Sequence, residues 1–101
     1  MFWRTIGAAL IVLCLAGAAQ AHTLFMTVID NGDGTVSAQG MYSTGVTAPA
    51  TEVRLEDDQG RVLFKGRTDD EGEITFDKPK GPYRIVMDGG PGHVATADGP
   101  R

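Results

Sequence analysis

The sequence is poor in cysteine. Its single cysteine among 101 residues is Cys14, which lies in an uncharged apolar stretch near the start. One thiol cannot form an internal disulfide, so packing and hydrogen bonds alone must hold the fold together. With only two histidines in addition, the sequence offers no Ser/His/Asp or Cys/His arrangement for nucleophilic catalysis. We therefore predict that the protein is not an enzyme.

Positive charge is also scarce. Nine lysines and arginines stand against 13 aspartates and glutamates, which gives a formal net charge of −4. Nucleic acids and anionic membranes are bound by clustered lysine and arginine, whereas acidic residues predominate in this chain. The composition therefore argues against a nucleic-acid partner and against binding to an anionic membrane.

The first 21 residues have the pattern of a cleavable signal peptide. Arg4 precedes an uncharged stretch over residues 6–19, and Ala19-Gln20-Ala21 supplies the small-x-small cleavage motif. The stretch is short for a membrane anchor, because a spanning helix needs about 20 apolar residues. We predict export to the periplasm with cleavage after Ala21, no membrane insertion after cleavage, and a single mature domain over residues 22–101.

The mature domain reads as an all-β protein. Val53 and Leu55 alternate with charged residues in the clearest predicted strand, over residues 51–56. Turn sequences such as Asp33-Gly34 separate about seven short apolar runs, the last predicted over residues 93–97. The first run, residues 24–29, is apolar enough to be buried on both faces. This spacing predicts a small Greek-key-type β-sandwich.

The two histidines, His22 and His93, suggest a metal site. Cleavage after Ala21 makes His22 the mature N-terminus, where its α-amine and ring nitrogen can chelate one ion together. His93 follows a glycine-rich loop near the other end of the domain, and chain termini often lie close together. Three such nitrogens suit Cu(II) or Ni(II), while imidazole also admits Zn or Co. The alternative is a frayed terminus and an unrelated surface histidine.

Further ligands are less clearly indicated. Met26 and Met87 fall on apolar strand faces, where core packing explains them, while the neighbours of Met41 are mixed. Asp88, just before the glycine-rich loop, is a candidate fourth ligand by its position in the sequence. The acidic segment at residues 30–34 is better explained as a hairpin turn than as a calcium loop, because glycines replace its ligands.

The chain also shows two resemblances to known families. The core segments Ala50-Thr51-Glu52-Val53-Arg54-Leu55, Gly66-Arg67-Thr68-Asp69-Asp70-Glu71-Gly72 and Gly81-Pro82-Tyr83-Arg84-Ile85 resemble a carboxypeptidase-regulatory-like, or transthyretin-like, sandwich. A signal peptide, a mature His-x-Leu-Phe strand and Gly90-Pro91-Gly92-His93 resemble the exported accessory subunits of energy-coupling-factor nickel/cobalt transporters. This second resemblance implies Ni(II) or Co(II) binding outside the membrane by His22 and His93, and delivery to membrane transporter subunits.

Three functions therefore remain open from the sequence. The first is a periplasmic nickel or cobalt binding protein that assists metal uptake, and it requires His22 and His93 to converge. The second is a copper carrier or resistance protein with the same N-terminal chelate and with methionines exposed near the site. The third is a metal-free interaction sandwich, in which an edge strand or the acidic turns mediate the contacts.

Overall fold

The computed structural model describes residues 23–101, so the predicted signal peptide and His22 lie outside the described residues. This part of the chain contains seven β-strands and no helix. The strands are β1 (Leu24–Asp30), β2 (Thr35–Tyr42), β3 (Glu52–Glu56), β4 (Val62–Arg67), β5 (Glu73–Asp77), β6 (Arg84–Asp88) and β7 (Val94–Asp98). The predicted all-β class is confirmed, with the last strand beginning one residue later than predicted.

The strands form two antiparallel sheets. One sheet has the order β1-β2-β5 and the other the order β4-β3-β6-β7. The β2–β3, β4–β5 and β5–β6 connections cross between the sheets, as expected for a small β-sandwich. Within residues 23–101, no helix is long and apolar enough to cross a membrane.

The core lies between the sheets and follows the strand alternation. Val53 and Leu55 of β3 point inward and are almost fully buried, while the charged residues between them face outward, as predicted. The buried core comprises Leu24, Val36, Ala38, Ala48, Val53, Leu55, Phe76, Tyr83, Ile85 and Met87. Since successive strand residues face opposite sides, β2, β3 and β6 each contribute alternate residues to this core.

The two edge strands β1 and β4 differ from the prediction. Burial of β1 on both faces is wrong: Leu24 is buried, but Phe25 and Ile29 are 58% and 57% exposed on its outer face. The apolar alternation at Val62 and Phe64 of β4 predicts that it continues the pattern of Val53 and Leu55, yet these residues are 55% and 39% exposed. The outer face of β1 has no second sheet over it, and a shift in the β3–β4 register sets Val62 opposite Glu56 on the outer face, while Phe64 lies on the open edge strand.

Gly40 of β2 faces Met87 of the other sheet and has no space for a side chain. A Cβ atom at this position would collide with the Met87 sulfur of β6 and lie 3.1 Å from the Ala48 Cβ. The Gly40 N–H donates to the Gly72 carbonyl at 2.9 Å, and its carbonyl accepts from the Ala48 N–H at 3.0 Å. Gly40 therefore joins β2 to the β4–β5 turn and to the loop before β3.

Gly72 completes this junction and has no room for a side chain. Its φ of +79° lies in the left-handed region, and a Cβ would stand 2.6 Å from the Gly40 oxygen and 2.9 Å from the Ala48 nitrogen. Backbone atoms cannot rotate away as a flexible side chain can. A substitution would therefore push the β4–β5 turn off the sheet.

We predict that Gly72→Ala destabilises the fold more than Gly32→Ala does. Gly32 has the same φ of +79° but open space around its Cβ position. Gly32→Ala therefore measures the cost of the left-handed backbone conformation alone. The collision at Gly72 should add about 1–3 kcal/mol, the usual cost of overpacking, to the loss in free energy of unfolding. Urea unfolding of both variants measures the difference, and equal losses would contradict the packing at Gly72.

The outer face of the four-stranded sheet carries a cluster of charges around Arg54. Its guanidinium group pairs with Glu56 at 2.8 Å, with Glu52 at 3.1 Å and with Asp88 of β6 at 3.4 Å. The hydrogen bond from Arg54, followed by that from Arg84, lowers the pKa of Glu56 below its ordinary value of 4.5. These ion pairs join β3 to β6 across the sheet surface.

We predict that the protein loses stability in acid partly through Glu56. A carboxyl whose pKa is lowered by folding contributes stability above its unfolded pKa, and the contribution is lost as the pH falls through the folded pKa. Glu56→Gln should therefore flatten the dependence of unfolding free energy on pH between about pH 6 and about pH 3. Glu71→Gln, an exposed turn residue, is the control and should leave that dependence nearly unchanged.

Candidate metal site

His93 is held by the hairpin that joins β6 to β7. The Gly89 N–H donates to the His93 carbonyl at 2.7 Å, and the His93 N–H donates to the Gly90 carbonyl at 2.9 Å. The predicted tight turn is therefore present. It fixes the backbone of His93 immediately before β7 begins at Val94.

The His93 ring packs against Tyr42 at the end of β2. The two ring centroids lie 5.6 Å apart with the planes at 89°, an edge-to-face arrangement. A Cβ atom on Gly89 would lie 2.9 Å from the Tyr42 hydroxyl and 3.1 Å from the His93 carbonyl. The absence of a side chain at Gly89 thus leaves space for the Tyr42 hydroxyl beside the hairpin.

The Nδ1 atom of His93 is buried and has no hydrogen-bond partner among residues 23–101. A buried polar atom without a partner costs free energy, so native structures normally supply one. Nothing within residues 23–101 fills this role. Any partner of this nitrogen therefore lies outside residues 23–101.

The described chain begins beside this same location. The Thr23 N–H donates to the Ser43 hydroxyl at 3.2 Å, and the Ser43 N–H donates to the Thr23 carbonyl at 2.8 Å. Leu24, the next residue, is the β1 residue directly opposite Tyr42. The residue that follows His22 in the sequence is therefore anchored to the strand whose last residue contacts His93. The position of His22 itself lies outside the described residues.

Asp88, the candidate fourth ligand, already has partners. Its Oδ1 atom accepts from the Gly90 N–H at 3.0 Å, and its Oδ2 atom lies 3.4 Å from the Arg54 guanidinium. These contacts, with the Gly90 hydrogen bond as the larger cause, lower the pKa of the Asp88 carboxyl. Asp88 therefore stabilises the hairpin that carries His93.

The three methionines of residues 23–101 differ in exposure. Met87 is fully buried, and Met26 is half-buried and packs against the core. Met41 is 40% exposed and adjacent to Tyr42 in β2, but it lies opposite Phe25 on the outer face of the sheet. Met26 and Met87 therefore pack in the core or against it, as predicted.

The aspartates of the acidic turns accept hydrogen bonds from backbone N–H groups of the same turns. Asp33 accepts from the Thr35 N–H and hydroxyl, and these bonds lower its pKa. Asp69 accepts from the N–H groups of Glu71 and Glu73, each at 2.9 Å. The predicted hairpin turn at Asp33-Gly34 is thereby confirmed. Among residues 23–101, no group of three or more His, Cys, Asp or Glu side chains is arranged to hold a metal ion.

A cavity of about 450 Å³ lies at the opposite end of β6, beside Tyr83 and Asp98. The Tyr83 hydroxyl is buried without a partner in the described part of the chain, and burial raises the pKa of this phenol. Aspartates and arginines both line the cavity. Because the charges are of both signs, the lining favours no single class of ligand.

The chain was also compared with known proteins. No protein-family model matches it, and neither a curated protein nor a solved structure shows significant similarity to it. The case for a metal site therefore depends on the residues and contacts described above.

Proposed function

We propose that the chain, processed after Ala21, binds Ni(II) or Co(II) outside the membrane and assists its uptake through a membrane transporter. The observation that supports this best is the buried, unpaired Nδ1 atom of His93. It lies at the end of the sandwich where the chain continues toward His22. The transport role itself rests on the predicted signal peptide and on the resemblance to accessory transporter subunits.

The described contacts connect Thr23, the residue after His22, to His93 through Leu24 and Tyr42. His22 is bonded to Thr23, so their Cα atoms are about 3.8 Å apart across a trans peptide. Leu24 lies opposite Tyr42, and directly opposed residues in antiparallel strands have Cα atoms about 4.5–5.5 Å apart. The Tyr42 ring in turn lies 5.6 Å from the His93 ring. The proposal requires His22 to extend from Thr23 across Tyr42 to the His93 ring.

The donor chemistry fits a late divalent transition metal. An α-amine and two imidazoles form an all-nitrogen set, which suits Ni(II), Co(II) and Cu(II) better than Ca(II) or Mg(II). Cu(II) binds most nitrogen sites more tightly than Ni(II) or Co(II), so metal supply selects the occupant. In this proposal His22 is the chelating terminus and His93 the third donor.

We expect tight one-to-one Ni(II) binding by the processed protein beginning at His22. The same protein with one extra alanine before His22 keeps the imidazole but moves the free amine away. Its Ni(II) affinity should fall by more than about tenfold, which corresponds to 1.4 kcal/mol, and His93→Ala should weaken binding similarly. Isothermal titration calorimetry measures both effects, with Co(II) and Cu(II) titrations in parallel.

The outcomes separate the open hypotheses. Equal Ni(II) affinity in the processed and extended proteins would overturn the role of the N-terminal amine. Loss in the extended protein with His93→Ala unchanged would leave a terminal chelate without the second histidine. Absence of Ni(II), Co(II) and Cu(II) binding in the processed protein would favour a metal-free interaction sandwich.

A second prediction concerns the space beside the site. Gly89→Ala places a methyl group against the Tyr42 hydroxyl and the His93 carbonyl, and it should displace the imidazole. Ni(II) affinity of the processed protein should fall by about 10–100-fold, as when a residue supporting a metal ligand is changed. Gly81→Ala is the matched control, since its Cβ position has nothing within 4 Å. Equal affinities of the two variants would show that Tyr42 and Gly89 do not position His93.

A further inference from the structure

The β4 edge, defined as residues 61–67, is an unusual surface for this protein. Three consecutive apolar residues are exposed there: Val62 at 55%, Leu63 at 49% and Phe64 at 39%. β4 is the outermost strand of the four-stranded sheet and pairs only with β3. Apolar side chains exposed in sequence along an open strand edge are typical of a contact surface.

The β4 edge is also basic in an acidic protein. β4 carries Lys65 and Arg67 and no acidic residue, and Arg61 precedes it. β6 holds one charge of each sign, β2 has no charged residue, and the other four strands have a net negative charge. Arg61 pairs with Asp57 at 2.8 Å and Lys65 approaches Glu52 at 3.3 Å, but Lys65 keeps 64% of its side chain exposed, and Arg67 is exposed as well. Lys65 and Arg67 are therefore the basic side chains of the β4 edge that a partner can reach.

Backbone groups of the β4 edge are open as well. The Thr68 N–H donates to the Thr51 carbonyl, so the alternation of antiparallel bonds makes Gly66 and Phe64 the residues bonded to β3. The N–H and C=O groups of Lys65 and Arg67 consequently point away from β3. They are positioned to bond with an additional strand.

A groove of about 330 Å³ borders the same edge. Its apolar lining is formed by Leu55, Leu63, Phe64 and Pro79, and its charged lining by Asp77, Lys78 and Lys80. Lys78 is paired with Asp30 at 2.7 Å, while Lys80 is exposed. An apolar side chain entering this groove would thus have a basic group close by.

We infer that the β4 edge binds an extended, acidic segment of a partner protein by strand addition. Since strand side chains alternate, acidic residues on one face of the added strand would meet Lys65 and Arg67. Apolar residues on its other face would meet Phe64. A nucleic acid or a lipid surface offers no complementary backbone for the open N–H and C=O groups. A second copy of this chain would set Lys65 and Arg67 against like charges, which opposes self-pairing.

The test uses a labelled peptide of about twelve residues with alternating valine and glutamate, and a matched peptide of valine and lysine. The glutamate peptide should shift the backbone amide NMR signals of residues 62–67 in the processed protein. Its affinity should exceed that of the lysine peptide by more than about tenfold and fall with added salt. Shifts confined to other strands, or equal affinities for the two peptides, would overturn the inference.

Variants at Lys65 separate the charge from the backbone contribution. Lys65→Pro removes an N–H that points away from β3, so it should abolish peptide binding with the fold intact. Lys65→Ala keeps that N–H and should weaken binding only severalfold. If Lys65→Pro does not fold, Lys65→Glu serves instead and should reverse the preference between the two peptides.

Two further measurements address other partners. Sedimentation velocity over a range of protein concentrations should show a monomer, because like charges oppose self-pairing at the β4 edge. Vesicles containing phosphatidylglycerol should not bind the protein. A dimer that the glutamate peptide dissociates, or vesicle binding lost in Lys65→Glu, would overturn the assignment to an acidic peptide.

Discussion

The contact between Gly40 and Met87 is the constraint on which the arrangement of the sandwich depends. Met87 is fully buried and reaches from β6 to β2, where only a glycine leaves space for its sulfur. Tyr42 follows Gly40 by two residues in β2, and the hairpin with His93 follows Met87 in β6. The separation of the sheets at this contact therefore sets the distance between Tyr42 and His93. Without a disulfide in residues 23–101, packing of this kind must position the site.

The sequence predicts the strands well because alternation is a local property. Val53 and Leu55 point inward as expected. β3 lies between β4 and β6, and its alternating charged residues identify the face that is exposed to solvent. The prediction fails for Phe25 and Val62 because a sequence shows neither which face of a strand the second sheet covers nor where the pairing register shifts. An apolar run has the same pattern whether its outer face is covered or exposed. Strand order, which depends on long-range pairing, decides between the two.

In the candidate site, too, the local turn follows from the sequence, whereas the contacts between strands do not. The glycines before His93 predict a tight turn, and the structure has one. The contact of His93 with Tyr42 depends on how the two sheets pack, and no spacing in the sequence indicates it. The ion pair between Arg54 and Asp88 likewise depends on the pairing of β3 with β6, in which Glu52 lies directly opposite Asp88. The position of Asp88 next to the glycine-rich loop suggests a metal ligand, but the pairing of β3 with β6 places its carboxylate against Arg54 instead.

The pairing of Thr23 with Ser43 has a consequence for any group attached just before it. The predicted cleavage after Ala21 would leave one residue between the cut and Thr23, whose backbone is already bonded to Ser43 at the end of β2. Such a short tether confines a terminal amine to a small volume beside the sheet, at a high effective concentration. The entropic cost of closing a chelate falls as its tether shortens. The position of the peptidase cut thus sets how far the terminal amine can move from the sheet.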